Sequence, residues 1–385
     1  MGLTVIMLTT IAMHFFIYFC IGKRFYEIFA VYFSSAVAKI FAAVYGLLFI
    51  PMLFAFMPIH LRLNYIFLTI GAYWLGVYFY LSSFFILSVA IIALGKAFGL
   101  ISNVKKARLH TGIVVAALTV AVSSYGFFNA TRIVFVEYEV QLNRPLAGEP
   151  INIVFIGDLH LGSVRSERQL TRIVDGINSL EPDIVALVGD IFNDDFYLIR
   201  NPDRAEMLLR EISATYGVFA CLGNHDAGPT LGSMIASLER SNITLLKDEY
   251  VIIDERLILI GRLDPIPFGE FGHPIPFSGF DNLRRRELAD IKNLEGNRLP
   301  VIVLDHNPAS IGEYTNDVDL VLSAHTHRGQ IFPANFITGL IYEVDHGHFQ
   351  RDEDSPHFIV TQGVHTVLTP MRVGTNSEIA SVLVR

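Results

Sequence analysis

Ile151-Asn-Ile-Val-Phe-Ile-Gly-Asp-Leu-His160 sets an apolar run, Ile151–Ile156, directly before a carboxylate and an imidazole. A short apolar run of this kind reads as a buried strand, so Asp158 and His160 fall where that strand ends. The pattern recurs downstream: Ile184–Val188 leads to Gly189-Asp190, and Val218–Leu222 leads to Gly223-Asn224-His225-Asp226. Val301–Leu304 then leads to His306, and Leu320–Leu322 to His325-Thr326-His327. Strand ends of an α/β sheet are where such folds converge polar groups on one crevice. Carboxylates, imidazoles and one amide, with no thiolate, suit two adjacent hard or borderline divalent cations better than a structural zinc.

Taken singly, each piece is weak. A D-x-H triplet and a Gly-Asp turn are common, and a lone His306 reads first as a satisfied structural histidine. Gly189 would let backbone approach a bridging Asp190 closely. Asn224 offers an uncharged oxygen, and His225 beside it can stand free as an acid. Asp226 and Asp194 are both candidates to orient His225, and sequence adjacency does not decide between them. His325 and His327, one residue apart, could each serve a different ion.

Outward from these motifs the chain divides. Residues 1–129 hold 8 of the 29 Lys and Arg but, among 37 acidic residues, only Glu27; the rest is strongly acidic. An acidic second part argues against nucleic acid bound through a broad basic face. Leu3–Ile21, Phe41–Pro58, Tyr65–Leu94 and Thr111–Asn129 are long apolar runs that predict four membrane helices, with Pro51 as a kink. The expected organisation is a transmembrane region, 1–130, and a catalytic domain, 131–385. Lys23 and Arg24 mark the first loop and Lys96, Lys105, Lys106 and Arg108 the third, against Arg62 in the second. The positive-inside rule then places the first and third loops in the cytoplasm and the domain outside it. Cys20 and Cys221 form no disulfide framework.

Within the domain, Arg132–Val140 alternates as a strand. Ser166-Glu-Arg-Gln169 matches a capping box opening a helix to about Leu180. Further helices are expected from Pro202 to about Ala214 and over Arg284–Leu294, with late strands at His357–Val360 and Ile379–Val384. Leu263–Asp281, rich in Pro, Gly and Phe, reads as a loop. Its Phe268, Phe271 and Phe277 suit either a packed surface excursion or a cap at the bilayer interface.

The order D-x-H, G-D, G-N-H-D, H, H-x-H resembles the calcineurin-like metallophosphoesterase family from about Ile151 to Arg385. Leu304–Pro308 (LDHNP), Leu322–Gln330 (LSAHTHRGQ) and the closing Gly363–Ile379 are similar to its membrane-associated bacterial branch. The resemblance implies a two-sheet sandwich flanked by helices. It implies that Asp158, His160 and His327 hold one metal, that Asn224, His306 and His325 hold a second, that Asp190 bridges, and that His225 is the general acid. The cofactor would be two divalent ions, Mn²⁺, Fe²⁺ or Zn²⁺. Two departures stand out: Ala324 occupies a usual glycine, and Arg328, either a phosphate ligand or a surface arginine, stands where the branch often has glycine.

The resulting expectation is a multi-pass phosphohydrolase of a bacterial cell membrane, a phosphodiesterase or pyrophosphatase using a metal-bound hydroxide. Its partners would be the lipid bilayer and a phosphoester substrate, including a lipid-linked one. Two alternatives accompany it: a UDP-2,3-diacylglucosamine hydrolase of lipid A synthesis, and a non-catalytic membrane receptor retaining the fold. The latter would predict a lost ligand, and none is lost.

Overall fold

The computed structural model describes residues 2–54, 64–162, 164, 166–265, 285–294 and 296–385. The chain forms two compact units, Met1–Phe127 and Phe128–Arg385. Four helices make up the N-terminal region: α1 (Gly2–Tyr32), α2 (Ser35–Phe54), α3 (Asn64–Ala97) and α4 (Val104–Asn129). Among the described residues, three are long and apolar enough to cross a membrane, over Ser35–Met52, Tyr65–Ala97 and Val104–Asn129. The expected first span opens α1, but α1 runs on to Tyr32 and carries Lys23 and Arg24 inside it rather than in a loop. Phe25–Tyr32 contains no helix breaker, so nothing stops the helix at the charges.

Aromatic packing holds this unit together. Tyr18 and Tyr45 stack at 4.2 Å between centroids, joined by Phe49 and Tyr78. Phe16, Phe19, Leu47 and Val120 point outward, the polarity expected of helices solvated by lipid rather than water. Arg24 Nη1 donates to the Arg108 carbonyl at 3.3 Å, which brings the basic residues of α1 and α4 to one end of the bundle.

The second unit is a sandwich. Its strands are β1 (Ile133–Val140), β2 (Ile151–Ile156), β3 (Ile184–Val188), β4 (Val218–Cys221), β5 (Thr244–Leu245), β6 (Glu249–Ile253), β7 (Leu257–Gly261), β8 (Val301–Leu304), β9 (Leu320–Ser323), β10 (Gly347–Phe349), β11 (His357–Val360) and β12 (Ser377–Val384). One six-stranded sheet has the order β1-β12-β2-β3-β4-β5, the other β10-β11-β9-β8-β7-β6. Successive side chains on a strand face opposite ways. Thus Ile153 and Phe155 enter the layer between the sheets with Leu259, Ile302 and Leu322. Val154 and Ile156 instead meet α5 (Ser166–Asn178), α6 (Pro202–Arg210) and α7 (Leu231–Arg240). The opposite outer face, Ile258, Ile260 and Val303, packs on Ile291, Ile311 and Tyr314. Each such aliphatic side chain taken fully from water contributes roughly 1.5–3 kcal/mol.

The two-sheet architecture is the one the motifs implied. Asn201 caps α6, accepting from Arg204 N–H at 3.1 Å. The helix foreseen over Arg284–Leu294 is, among the described residues, the single turn α8 (Leu288–Ile291). Before it, Arg285 is drawn into ion pairs with Asp305 and Glu313, both at no more than 2.9 Å. The apolar loop foreseen at Leu263–Asp281, with Phe268, Phe271 and Phe277, lies outside the described residues beyond position 265. Cys221 is buried between the sheets as a small hydrophobe.

The ends of β2 and β9 come so close that a Cβ on Gly157 would lie 2.2 Å from the Ala324 Cβ. Ala324 itself has no positive φ, so alanine fits there because its neighbour lacks a side chain. Gly157→Ala should therefore cost about 1–3 kcal/mol from overpacking. Adding Ala324→Gly should return most of it, as read by thermal unfolding of the single and double variants.

Candidate metal centre

Every motif singled out in the sequence reaches one crevice at the C-terminal ends of β2, β3, β4, β8 and β9. Asp158, His160 and His327 bring ligand atoms within 4.8 Å of one another, and Asp190, His306 and His325 do the same. His160 Nε2 and His327 Nε2 stand 3.1 Å apart, with Asp158 Oδ1 3.5 Å from the latter. In the second cluster His306 Nε2 is 3.2 Å from Asn224 Oδ1 and 3.2 Å from Asp190 Oδ2. That same Asp190 oxygen is 3.8 Å from His160 Nε2, so it lies between the clusters. With metal–ligand bonds of about 2.0–2.2 Å, neighbouring donors on one ion are about 3–3.6 Å apart. Separations of 3.1–3.5 Å fall in that range, while His160 Nε2 and Asp158 Oδ1 are farther apart at 4.0 Å.

The protonation states fit cations as well. His306 Nδ1 donates to the Val188 carbonyl at 2.8 Å, which leaves Nε2 facing two oxygens, a contact that needs positive charge. Burial opposes that charge, but Asp190 and Asp158 overcome it and hold His306 well above the usual imidazole range. Burial, with the help of neighbouring imidazoles and against the pull of Asp190, lowers His160 and His325 to about 3. Burial and His160 likewise keep His327 far below its ordinary value. These rings are neutral near pH 7, the state that ligates. Asp158 is pushed up by burial and by Asp190. The buried Asn224 Nδ2 has no hydrogen-bond partner, as expected when an amide is oriented by its oxygen. The donor set therefore fits two divalent cations.

Neighbouring residues divide the work that the sequence left open. Asp194 Oδ1 is 2.7 Å from His225 Nδ1. Asp226 instead accepts from the backbone of Ile191, Phe192 and Gly223 at 2.7–3.1 Å. It ties two metal loops together, and Asp194 orients His225. Burial disfavours charge on His225, but Asp190 and Asp194 outweigh it and raise it to about 9. Gly189, at φ 72°, has no room for a side chain: a Cβ would meet the His306 ring at 2.5 Å. Asp158, His160, Asp190, His325, His327 and Arg328 all have positive φ, strain of the sort that concentrates at functional sites.

Arg372 was missed. It is fully buried, and its Nη2 donates to the carbonyls of Gln362, Gly363 and His365 at 2.5–3.1 Å and lies 3.4 Å from His327 Nδ1. Burial lowers it only to about 10, so it stays charged. Its signal was present in the sequence: between Pro356 and Ser377 it is the one Lys, Arg, Asp or Glu. Arg328 is half-buried beside the cluster and enters the left-handed region at φ 49°. His346 pairs with Asp345 and His348 with His357, each at 2.9 Å; neither joins a metal cluster among the described residues. A cleft of about 520 Å³ runs from His325 and Asn307 to Tyr342 and Arg351.

A two-sheet α/β sandwich with this donor set at its strand ends defines a metal-dependent phosphoester hydrolase. Residues 151–329 match the calcineurin-like phosphoesterase family model, and that segment is a calcineurin-like phosphoesterase domain. A metallophosphoesterase of Aquifex aeolicus is 29% identical over 250 residues, 65% of this chain and 90% of that one. A Bos taurus transmembrane protein with a metallophosphoesterase domain is 28% identical, over 76% of this chain and 66% of its own length. A UDP-2,3-diacylglucosamine pyrophosphatase of Chlamydia trachomatis is 29% identical, over 56% and 78%.

Three outcomes follow from the geometry. His306→Ala should lower bound metal from two ions per chain to at most about one, as counted by elemental analysis of the purified full chain. Asp226→Ala should destabilise the domain by about 2–4 kcal/mol because it strips three buried N–H groups of their acceptor. Asp194→Ala should leave stability and metal content near wild type and lower turnover alone.

Proposed function

We propose that the chain is a membrane-anchored hydrolase of phosphodiesters or pyrophosphates with two divalent cations, acting on a lipid-linked substrate. The observation that carries this reading is the single Asp190 oxygen between two histidine clusters, 3.2 Å from His306 Nε2 and 3.8 Å from His160 Nε2. Asp158, His160 and His327 would hold one ion and Asn224, His306 and His325 the other. Such a pair supplies charge stabilisation on phosphoryl oxygens and lowers the pKa of water. Mn²⁺, Fe²⁺ and Zn²⁺ all accept these donors, with cellular availability deciding among them.

The chain's own residues do the rest. His225 holds a proton at Nε2 while Nδ1–H donates to Asp194, and it delivers the Nε2 proton to the departing oxygen. Cations on Asp190 would offset that carboxylate's pull on His225, whereas the Asp194 contact lies outside the clusters and persists. Arg328, whose guanidinium has no ion pair among the described residues, would take a substrate phosphate oxygen. Burial of the ligands keeps bulk water from the charged groups and strengthens their interactions.

Helices long enough to cross a membrane and relatives named as transmembrane proteins support anchoring. Lys23 and Arg24 within α1, with the basic start of α4, support a domain on the non-cytoplasmic side. A UDP-2,3-diacylglucosamine substrate is a second reading, favoured by the name of the Chlamydia relative. The same charge distribution opposes it, since that nucleotide lies in the cytoplasm.

Full-length protein stripped of metal should be inactive on bis-p-nitrophenyl phosphate and regain activity with Mn²⁺. His225→Ala should lower the restored rate about 10²–10⁴-fold with metal content intact, and Asp190→Asn should lose both metal and rate. A metal-loaded, folded protein without diesterase activity would favour the receptor reading.

A further inference from the structure

One helix of the domain has no core to serve. α9 (Ala334–Ile341) buries none of its residues; Phe336, Ile337, Leu340 and Ile341 are 63%, 55%, 87% and 69% exposed. From Ile331 to Tyr342 the chain carries no charged side chain. Leu368 is also exposed, on a turn that Gln330 holds through the Val367 amide at 2.8 Å. A contiguous, charge-free apolar surface of this kind marks a partner.

The surroundings indicate which one. Phe332 N–H, at the root of α9, donates to the Val373 carbonyl at 2.8 Å. The flanking carbonyls of Arg372 and Thr375 accept from Asn129 Nδ2 at 3.3 and 2.9 Å. Asn129 is the last residue of α4, whose apolar length suits a membrane crossing. One loop, Arg372–Thr375, therefore holds both the chain's exit from that helix and the base of α9. Ile341 and Tyr342, at the far end of α9, wall the cleft that begins at His325.

We propose that α9 seats its Phe336, Ile337 and Leu340 in the lipid surface of the bilayer that α4 crosses. The cleft between Tyr342 and His325 would then open at the interface, so that a phosphoester reaches the metal centre while its apolar chain remains in lipid. Interfacial helices bury their apolar face about 5–10 Å into the headgroup boundary, and Arg351 with His325 offers polar contacts beyond it. The proposal rests on the membrane-anchored reading and deepens it by naming the entry surface.

The test uses the full chain in lipid nanodiscs. Trp74 is the protein's one tryptophan, so Leu340→Trp in a Trp74→Phe background reports on α9 alone. Acyl-brominated phosphatidylcholine should quench this fluorescence by half or more, and aqueous acrylamide should barely reach it. Quenching by acrylamide without bromine would overturn the proposal. Quenching by neither would also overturn it and assign α9 to a contact with a second protein copy. In the wild-type background, Phe336→Ser with Leu340→Ser should leave bis-p-nitrophenyl phosphate hydrolysis unchanged. The same pair should lower turnover of a bilayer-embedded phosphodiester about tenfold; equal rates on both substrates would remove the entry role. Bromine quenching in a protein that hydrolyses no lipid-linked diester would retain α9 seating and reject the lipid-linked substrate reading instead.

Discussion

Asp158 and Asp190, both fully buried, share one crevice with the imidazoles of His160, His306, His325 and His327. Burying carboxylates away from water is costly unless positive charge accompanies them. Three of the four rings are held neutral, so they supply lone pairs rather than charge. His306 takes up the positive role through a proton, and cations would take it over. Much of the neighbouring structure is arranged around this demand. Arg372 binds three carbonyls of the closing turn beside His327, and Asp226 binds three amides below Asp190.

The same demand explains the backbone. Six residues of the metal loops hold positive φ, a conformation that costs of order 1 kcal/mol or more for residues with side chains. The sheets can enforce it because β2, β3, β4, β8 and β9, which lead into these loops, are buried along nearly their whole length. Gly189 and Gly157 appear where two loops would otherwise collide. The donors are thus clustered without any ion, and such an arrangement would favour binding by reducing the entropy of ordering ligands.

Some of the fold was hidden for identifiable reasons. The β6–β7 hairpin turns through Asp254 and Glu255, both at positive φ, without the Asn-Gly or Asp-Gly pair that signals such turns. α9 is short, uncharged and mostly apolar, and such a run cannot be assigned to helix or strand by periodicity. β1 was legible as a strand, but not its parallel partner β12, more than two hundred residues away. The choice between Asp194 and Asp226 was likewise invisible, because sequence adjacency does not decide it and only the fold turns Asp226 onto backbone amides and Asp194 onto His225.

Sequence alone determined the donor inventory and its order, because each ligand follows an apolar strand and strand ends are where a sheet exposes polar groups. It also determined the division into apolar helices and an acidic domain, since a bilayer and water select opposite compositions. Tertiary structure alone decided how close the two donor clusters stand, which aspartate holds His225, and that Arg372 braces the site. It alone set α9 outside the core beside the loop that binds the end of α4. Those outcomes depend on distances between residues remote in the chain, which are set by how two twisted sheets pack and where their loops meet.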